Sequence, residues 1–188
     1  MENTALVLVD VQNDYFPSFE GSKMALPHMD AAAHNAARLL AQARQSNIPV
    51  IHVRHVMTSA QAPFFVPESE GSEIHPSVAP LETETVVLKK RPNSFFETPL
   101  SEELSKHGIR KLIVCGAMSQ MCVDATVRAA VDLGYSVEVA EDACAAANVN
   151  FNGVQVAAES VHASIMAPLA ASYAAVKSAQ EIAGNMQS

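Results

Sequence analysis

The sequence predicts a single three-layer α/β domain, residues 1–188, built on a mostly parallel sheet. Three observations carry this. Short β-branched runs recur along the chain without polar interruption, as strands buried on both faces of a parallel sheet do. Ala-rich stretches with helical character lie between them, and Ala is the best helix former. No repeat or low-complexity tract breaks the alternation, so the pattern reads as successive βαβ units.

The elements follow in order. Residues 5–11 form the first apolar run and read as a strand. Asp30 is the expected N-cap of a helix reaching about residue 46, with Leu39, Leu40 and Ala43 on its apolar side. Residues 48–53 read as the second strand. The stretch 57–84 has no period and is long for a compact domain, which marks it as a functional loop or lid. Residues 85–88 are the third strand, and 99–107 a short helix that Gly108 ends. Residues 112–115 make the fourth strand, 123–133 a helix stopped at Gly134, and 136–139 a weaker fifth strand. A late helix is expected over 154–169 and a last strand over 173–176.

Composition narrows the function classes. Apolar residues make up 49% and charged residues 17%, which opposes disorder. Lys and Arg number 12 against 20 Asp and Glu, so the formal charge is −8. A nucleic-acid face needs clustered positive charge, and none is expected here. No apolar run is long enough for a transmembrane helix. The start, Met1-Glu-Asn-Thr-Ala, lacks the basic region of a secretory signal. The expected setting is the cytoplasm, where Cys115, Cys122 and Cys144 are free thiols.

In open α/β sheets the site lies beyond the carboxyl ends of the strands. The first strand runs into Asp10-Val-Gln-Asn-Asp14, the third into Lys89-Lys90-Arg91, and the fourth into the loop from Cys115 to Cys122. An acid, a base and a thiol therefore meet at one edge of the sheet. Cys122 stands where a helix begins, and the positive end of a helix dipole is expected to lower its pKa. Cys115 and Cys144 read as buried structural thiols. Asp10 is suited to take the thiol proton and return it to a leaving group, with Lys89 holding the carboxylate. Side chains alternate along a strand, so of Lys89 and Lys90 only one faces this centre.

The segments Leu8-Val-Asp10-Val-Gln12-Asn13-Asp14-Tyr15-Phe16, Val87-Leu-Lys89-Lys-Arg-Pro92-Asn-Ser-Phe95 and Val114-Cys-Gly116-Ala117-Met118-Ser119-Gln-Met-Cys122 resemble motifs of the isochorismatase-like cysteine hydrolase superfamily. That superfamily includes nicotinamidases and N-carbamoylsarcosine amidases. Asp142-Ala143-Cys144 and Val161-His162-Ala163 resemble two later landmarks. The resemblance implies the isochorismatase-like hydrolase fold, with a six-stranded sheet flanked by helices. It implies Asp10, Lys89 and Cys122 as a catalytic triad, and selects Lys89 over Lys90. It implies a cis peptide at Ala117–Met118 and an oxyanion hole formed by the Met118 and Cys122 N–H groups. The implied reaction is hydrolysis of an amide or ureide-type C–N bond through a covalent acyl-enzyme.

The sequence departs from nicotinamidases, whose second strand is followed by an Asp-x-His pair that holds a metal. Here the stretch is Val50-Ile-His52-Val-Arg54-His55, with no Asp. His52 reads as a core histidine, and His55 and His75 without a carboxylate are not expected to bind metal. No cofactor is expected. Candidate pocket residues are Phe16, Phe64, Phe65, Phe95, Met118 and Met121, with Arg54, His55 and Glu73 as polar contacts. Phe16 and Phe95 each stand six residues beyond a triad member. Glu73-Ile74-His75-Pro76 resembles streptothricin-hydrolase-like proteins. Rival readings are a vinyl-ether hydrolase of isochorismatase type, which lacks the nucleophilic Cys, a non-catalytic scaffold of the same fold, and a nucleotide-binding domain, for which no glycine-rich phosphate motif occurs. The expected partners are a small-molecule substrate and further copies of the chain, as a dimer or tetramer, with no nucleic acid and no membrane.

Overall fold

A computed structural model describes residues 2–186. Six strands make one sheet: β1 (Thr4–Val9), β2 (Val50–His55), β3 (Thr85–Lys89), β4 (Lys111–Ala117), β5 (Ser136–Ala145) and β8 (Ala175–Lys177). Their order is β3-β2-β1-β4-β5-β8, and every pairing is parallel. β6 (Val149–Phe151) and β7 (Val154–Val156) form a separate antiparallel hairpin. The helices are α1 (Met29–Gln45), α2 (Leu100–Lys106), α3 (Asp124–Asp132), α4 (Ala158–Ser172) and α5 (Ala179–Asn185). α1 packs with α5, and α3 with α4. Right-handed crossovers put α2, α3 and α4 on the face opposite α1. This is the three-layer arrangement expected.

β1 is the centre of the sheet, and all six of its residues are buried. It pairs with β2 on one side and β4 on the other, so the chain's winding reverses between β1 and β4. A crevice opens at such a reversal, outside the strands' carboxyl ends. Asp10 and Cys122 follow those two strands.

Several boundaries differ from expectation, each for a local reason. β1 stops at Val9 rather than residue 11, because Asp10 takes a left-handed φ of 50° and turns the chain. β2 lies two residues later than expected, since its polar His52, Arg54 and His55 belong to the strand. β5 continues to Ala145 through Glu141 and Asp142, across a register irregularity opposite Val114 and Gly116. Residues 154–156 are strand, not helix: Asn152 and Gly153 both have positive φ, as a type I′ hairpin turn requires. α4 then starts at Ala158. β8 begins two residues late, and α5, capped by a reciprocal Ser178–Glu181 box, was not expected. Asp30 is not the N-cap of α1. His28 holds that position, and Asp30 in the first turn accepts from the Ser18 hydroxyl.

Candidate active site

Three strand ends build the centre. Asp10 is fully buried, and its N–H donates to the Val53 carbonyl at 3.0 Å. On β3 the faces alternate, with Val86 and Leu88 exposed and Val87 and Lys89 buried. Lys90 is therefore turned to solvent. Lys89 pairs in register with His55 at the end of β2, which brings their side chains together. The Lys89 ammonium lies 2.7 Å from Asp10 Oδ2 and 3.1 Å from His55 Nδ1, and donates to the Arg91 carbonyl at 3.1 Å. Beyond these neighbours and Cys122, the buried Asp10 carboxylate meets no further side-chain donor among the described residues.

Cys122 comes from the loop after β4. Gly116 crosses so close to β1 that a Cβ would meet the Val9 carbonyl oxygen at 1.9 Å, and its φ is 125°. Only glycine fits there. The Ala117–Met118 peptide is cis. A single π turn, Ser119–Val123, then carries Cys122 to the start of α3, with the Met118 carbonyl accepting from the Met121 and Val123 N–H groups. Cys122 Sγ lies 4.0 Å from His55 Nδ1, and His55 Nδ1 is 3.9 Å from Asp10 Oδ2.

The electrostatics correct one expectation. Burial and the Asp10 carboxylate push the Cys122 thiol up, against the pull of Lys89, so the helix start does not win. The resting sulfur is a thiol. Burial lowers Lys89, but Asp10 and Cys122 raise it by more, and the ammonium stays charged. Burial and then Lys89 lower His55, which is neutral. An ammonium can only donate, so His55 Nδ1 is the acceptor and Nε2 carries the proton.

The residues after Asp10 fasten the 56–84 segment over this centre. Gln12 accepts from the His55 N–H and donates to the His55 and Ser72 carbonyls, each at 2.8 Å. Asn13 donates to the Glu70 carbonyl at 2.7 Å, and Asp14 accepts the Phe65 N–H at 2.7 Å. Gly71 lies against Asp14 so tightly that a Cβ would come within 2.3 Å of Oδ1. The structural parts played by Gln12 and Gly71 were missed in the sequence. Their signal was a polar run directly after a buried strand, which must find partners.

The expected pocket residues separate. His55 is at the centre, buried Met118 flanks the loop, and Met121 is 44% exposed one residue before Cys122. Phe65 is buried, edge-on to Tyr15, with its ring 6.0 Å from that of His55. Phe64 packs on Phe65. Phe16 is buried and stacks on His75 at 3.6 Å. Arg54 is committed to the Ser72 carbonyl and to Glu73 at 2.6 Å, so it ties down the loop. Phe95 is half-buried, and its ring stacks on that of Tyr135, the residue before β5. His52 is bound to Glu84 at 3.0 Å in the core. His52 and His75 are thus each engaged by a partner of their own. Among the described residues the one group with metal-ligand geometry is Asp10, His55 and Cys122. Cys115 and Cys144 are buried and free. His162 on α4 shares a 2.9 Å hydrogen bond with Ser119 Oγ in the nucleophile loop.

Comparison with known proteins bears on the family and the fold. The isochorismatase domain model matches residues 4–172. The uncharacterised isochorismatase family protein YddQ of Bacillus subtilis is 50% identical over 177 residues, 94% of this chain and 97% of that protein. Streptothricin hydrolase of Streptomyces noursei is 34% identical over 74% of this chain and 53% of its own. A crystal structure of an isochorismatase-type protein from Oleispira antarctica superposes with a TM-score of 0.95 at 51% identity, covering 98% of both chains.

Proposed function

The chain belongs to the isochorismatase family of hydrolases, and from that premise we propose that it cleaves a C–N bond of amide or ureide type in a small molecule, with Cys122 as nucleophile. The observation that carries this reading is the buried meeting of thiol, carboxylate and ammonium, drawn from three strand ends.

The thiol is protonated at rest, so attack needs a base in contact. Asp10 takes the proton as Sγ adds to the substrate carbonyl carbon. The oxygen becomes an oxyanion, held by the Met118 and Cys122 N–H groups. A preorganised donor of this kind is worth about 2.7–4 kcal/mol in a dry site. The protonated Asp10 gives its proton to the leaving nitrogen, the C–N bond breaks, and a thioester remains on Cys122. Asp10 then deprotonates a water that adds to the thioester carbon, the C–S bond breaks to release the acid, and Asp10 returns the proton to the Cys122 sulfur. Lys89 holds the Asp10 carboxylate in place between these steps. A vinyl ether cleaved by the isochorismatase route needs no such thiol, which favours acyl transfer here.

This reading takes a small-molecule substrate, a homo-oligomer and a cytoplasmic setting. Among the described residues no helix is long and apolar enough to cross a membrane. The test is a panel of amides and ureides with ammonia or amine release as readout. The expected result is turnover that Cys122→Ala and Asp10→Asn abolish in folded protein. Retained turnover in Cys122→Ala overturns the assignment.

A further inference from the structure

Lys89 sits in a cage that would suit a metal ion. Its ammonium is bounded by a carboxylate oxygen at 2.7 Å, an imidazole nitrogen at 3.1 Å and a carbonyl oxygen at 3.1 Å, with the Cys122 sulfur beside them. Apart from the carbonyl, these are the ligand types that zinc-like ions prefer. Asp10, His55 and Cys122 are all buried, and their ligand atoms lie within 4.8 Å of one another. Two of the separations are 3.9 Å and 4.0 Å. A tetrahedral zinc ion separates its ligand atoms by about 3.4–3.7 Å, so the site closes with contractions of roughly 0.5 Å in these two pairs and of roughly 1 Å at most in the Asp10–Cys122 pair, which lies within 4.8 Å. His55 Nδ1 already points inward as an unprotonated acceptor, the form a metal requires.

We infer that Asp10, His55 and Cys122 form a cation site whose resident cation is Lys89, and that a thiophilic divalent ion takes Lys89's place there and blocks the nucleophile. This is not the Asp-x-His set of nicotinamidases, which the chain lacks. On binding, the Cys122 S–H bond breaks, its proton leaves to solvent and a sulfur–metal bond forms. No group changes oxidation state. Lys89 keeps its three protons and withdraws from Asp10. The charges explain why the site is regulated by its own lysine. A divalent ion with one carboxylate, one thiolate and a neutral imidazole sums to zero, and Lys89 adds an uncompensated positive charge in a buried place. Removing Lys89 therefore turns a weak inhibitory site into a strong one.

The inference shares its residues with the proposed reaction, but its test needs no substrate, so either can fail alone. Cd2+ is titrated into wild-type, Cys122→Ser, His55→Phe and Lys89→Met protein, following the ultraviolet sulfur-to-cadmium charge-transfer band, with circular dichroism as the folding control. One ion per chain is expected in the wild type, with one proton released per ion. The band should vanish in Cys122→Ser, affinity should fall at least tenfold in His55→Phe, and it should rise at least tenfold in Lys89→Met. A band undiminished in Cys122→Ser, or a Lys89→Met protein that binds no tighter than wild type, overturns the proposal. Should Lys89→Met fail to fold, protection of wild-type Cys122 from iodoacetamide by Cd2+ decides: no protection at saturating Cd2+ overturns it.

Discussion

Lys89 and Lys90 are adjacent in sequence and opposite in environment, and the difference is measurable. Lys89→Met removes the one cation that the described residues bring against the buried Asp10 carboxylate, and breaking such a pair costs about 3–5 kcal/mol of stability. It should also lower kcat/KM by orders of magnitude, read at a temperature where the variant is folded. Lys90→Met changes an exposed side chain and should fall within about 0.5 kcal/mol of wild type by urea midpoint, with unchanged kcat/KM. Gly71 makes a second residue-scale case. Its missing side chain leaves room for the Asp14 carboxylate, which is itself fixed by the Lys23 and Phe65 N–H groups. Gly71→Ala forces that carboxylate off its donors, and by analogy with overpacking should cost about 1–3 kcal/mol in thermal or urea unfolding. At this scale the acid, base and thiol were legible because each follows an apolar run. The direction of the Cys122 shift was not legible, because burial and the neighbouring carboxylate are properties of the assembled site.

Among the elements, the β6–β7 hairpin behaves as a unit apart. Its strands pack chiefly on each other, and Phe151 at its turn is 76% exposed. Gly153→Ala places a side chain at a φ of 80° and costs roughly 1 kcal/mol locally. The expected outcome is faster amide exchange across residues 149–156, by about fivefold, with global unfolding nearly unchanged. The same hairpin shows why the late part of the chain was misread. Its strands are three residues each, and the alternation of Val154, Gln155 and Val156 runs straight into an Ala-rich helix, so only the Asn152-Gly153 pair marks the turn. β1 and β4 were readable because a central parallel strand is apolar on both faces. β2 and β5 were misplaced because the polar residues at their ends read as loop while completing hydrogen-bonded ladders.

For the molecule as a whole, Glu84 is the clearest acid-sensitive lock. It ties α1 to the start of β3 by taking Arg44 at 2.7 Å and His52 at 3.0 Å. Burial raises its pKa, but Arg44, the Leu81 N–H and His52 more than reverse this, and the carboxyl is depressed to about 2. A folded pKa below the unfolded one means Glu84 stabilises the fold above roughly pH 4.5. That stabilisation is lost as pH falls from there towards 2. Glu84→Gln should therefore lower Tm near neutrality and flatten its fall between pH 5 and 2.5 in a thermal melt series, the approximate window set by linkage. The order of the strands has a kinetic meaning as well. Thr4 pairs with Lys111 and Val9 with Gly116, so the central seam of the sheet joins distant parts of the chain. Such long loops close slowly. Asp10 and Cys122 meet only after that seam has zipped. During refolding from urea, helical signal should return first, and the shielding of Cys122 from an alkylating reagent should lag behind it. Active-site formation would then report the last cooperative step of the folding reaction.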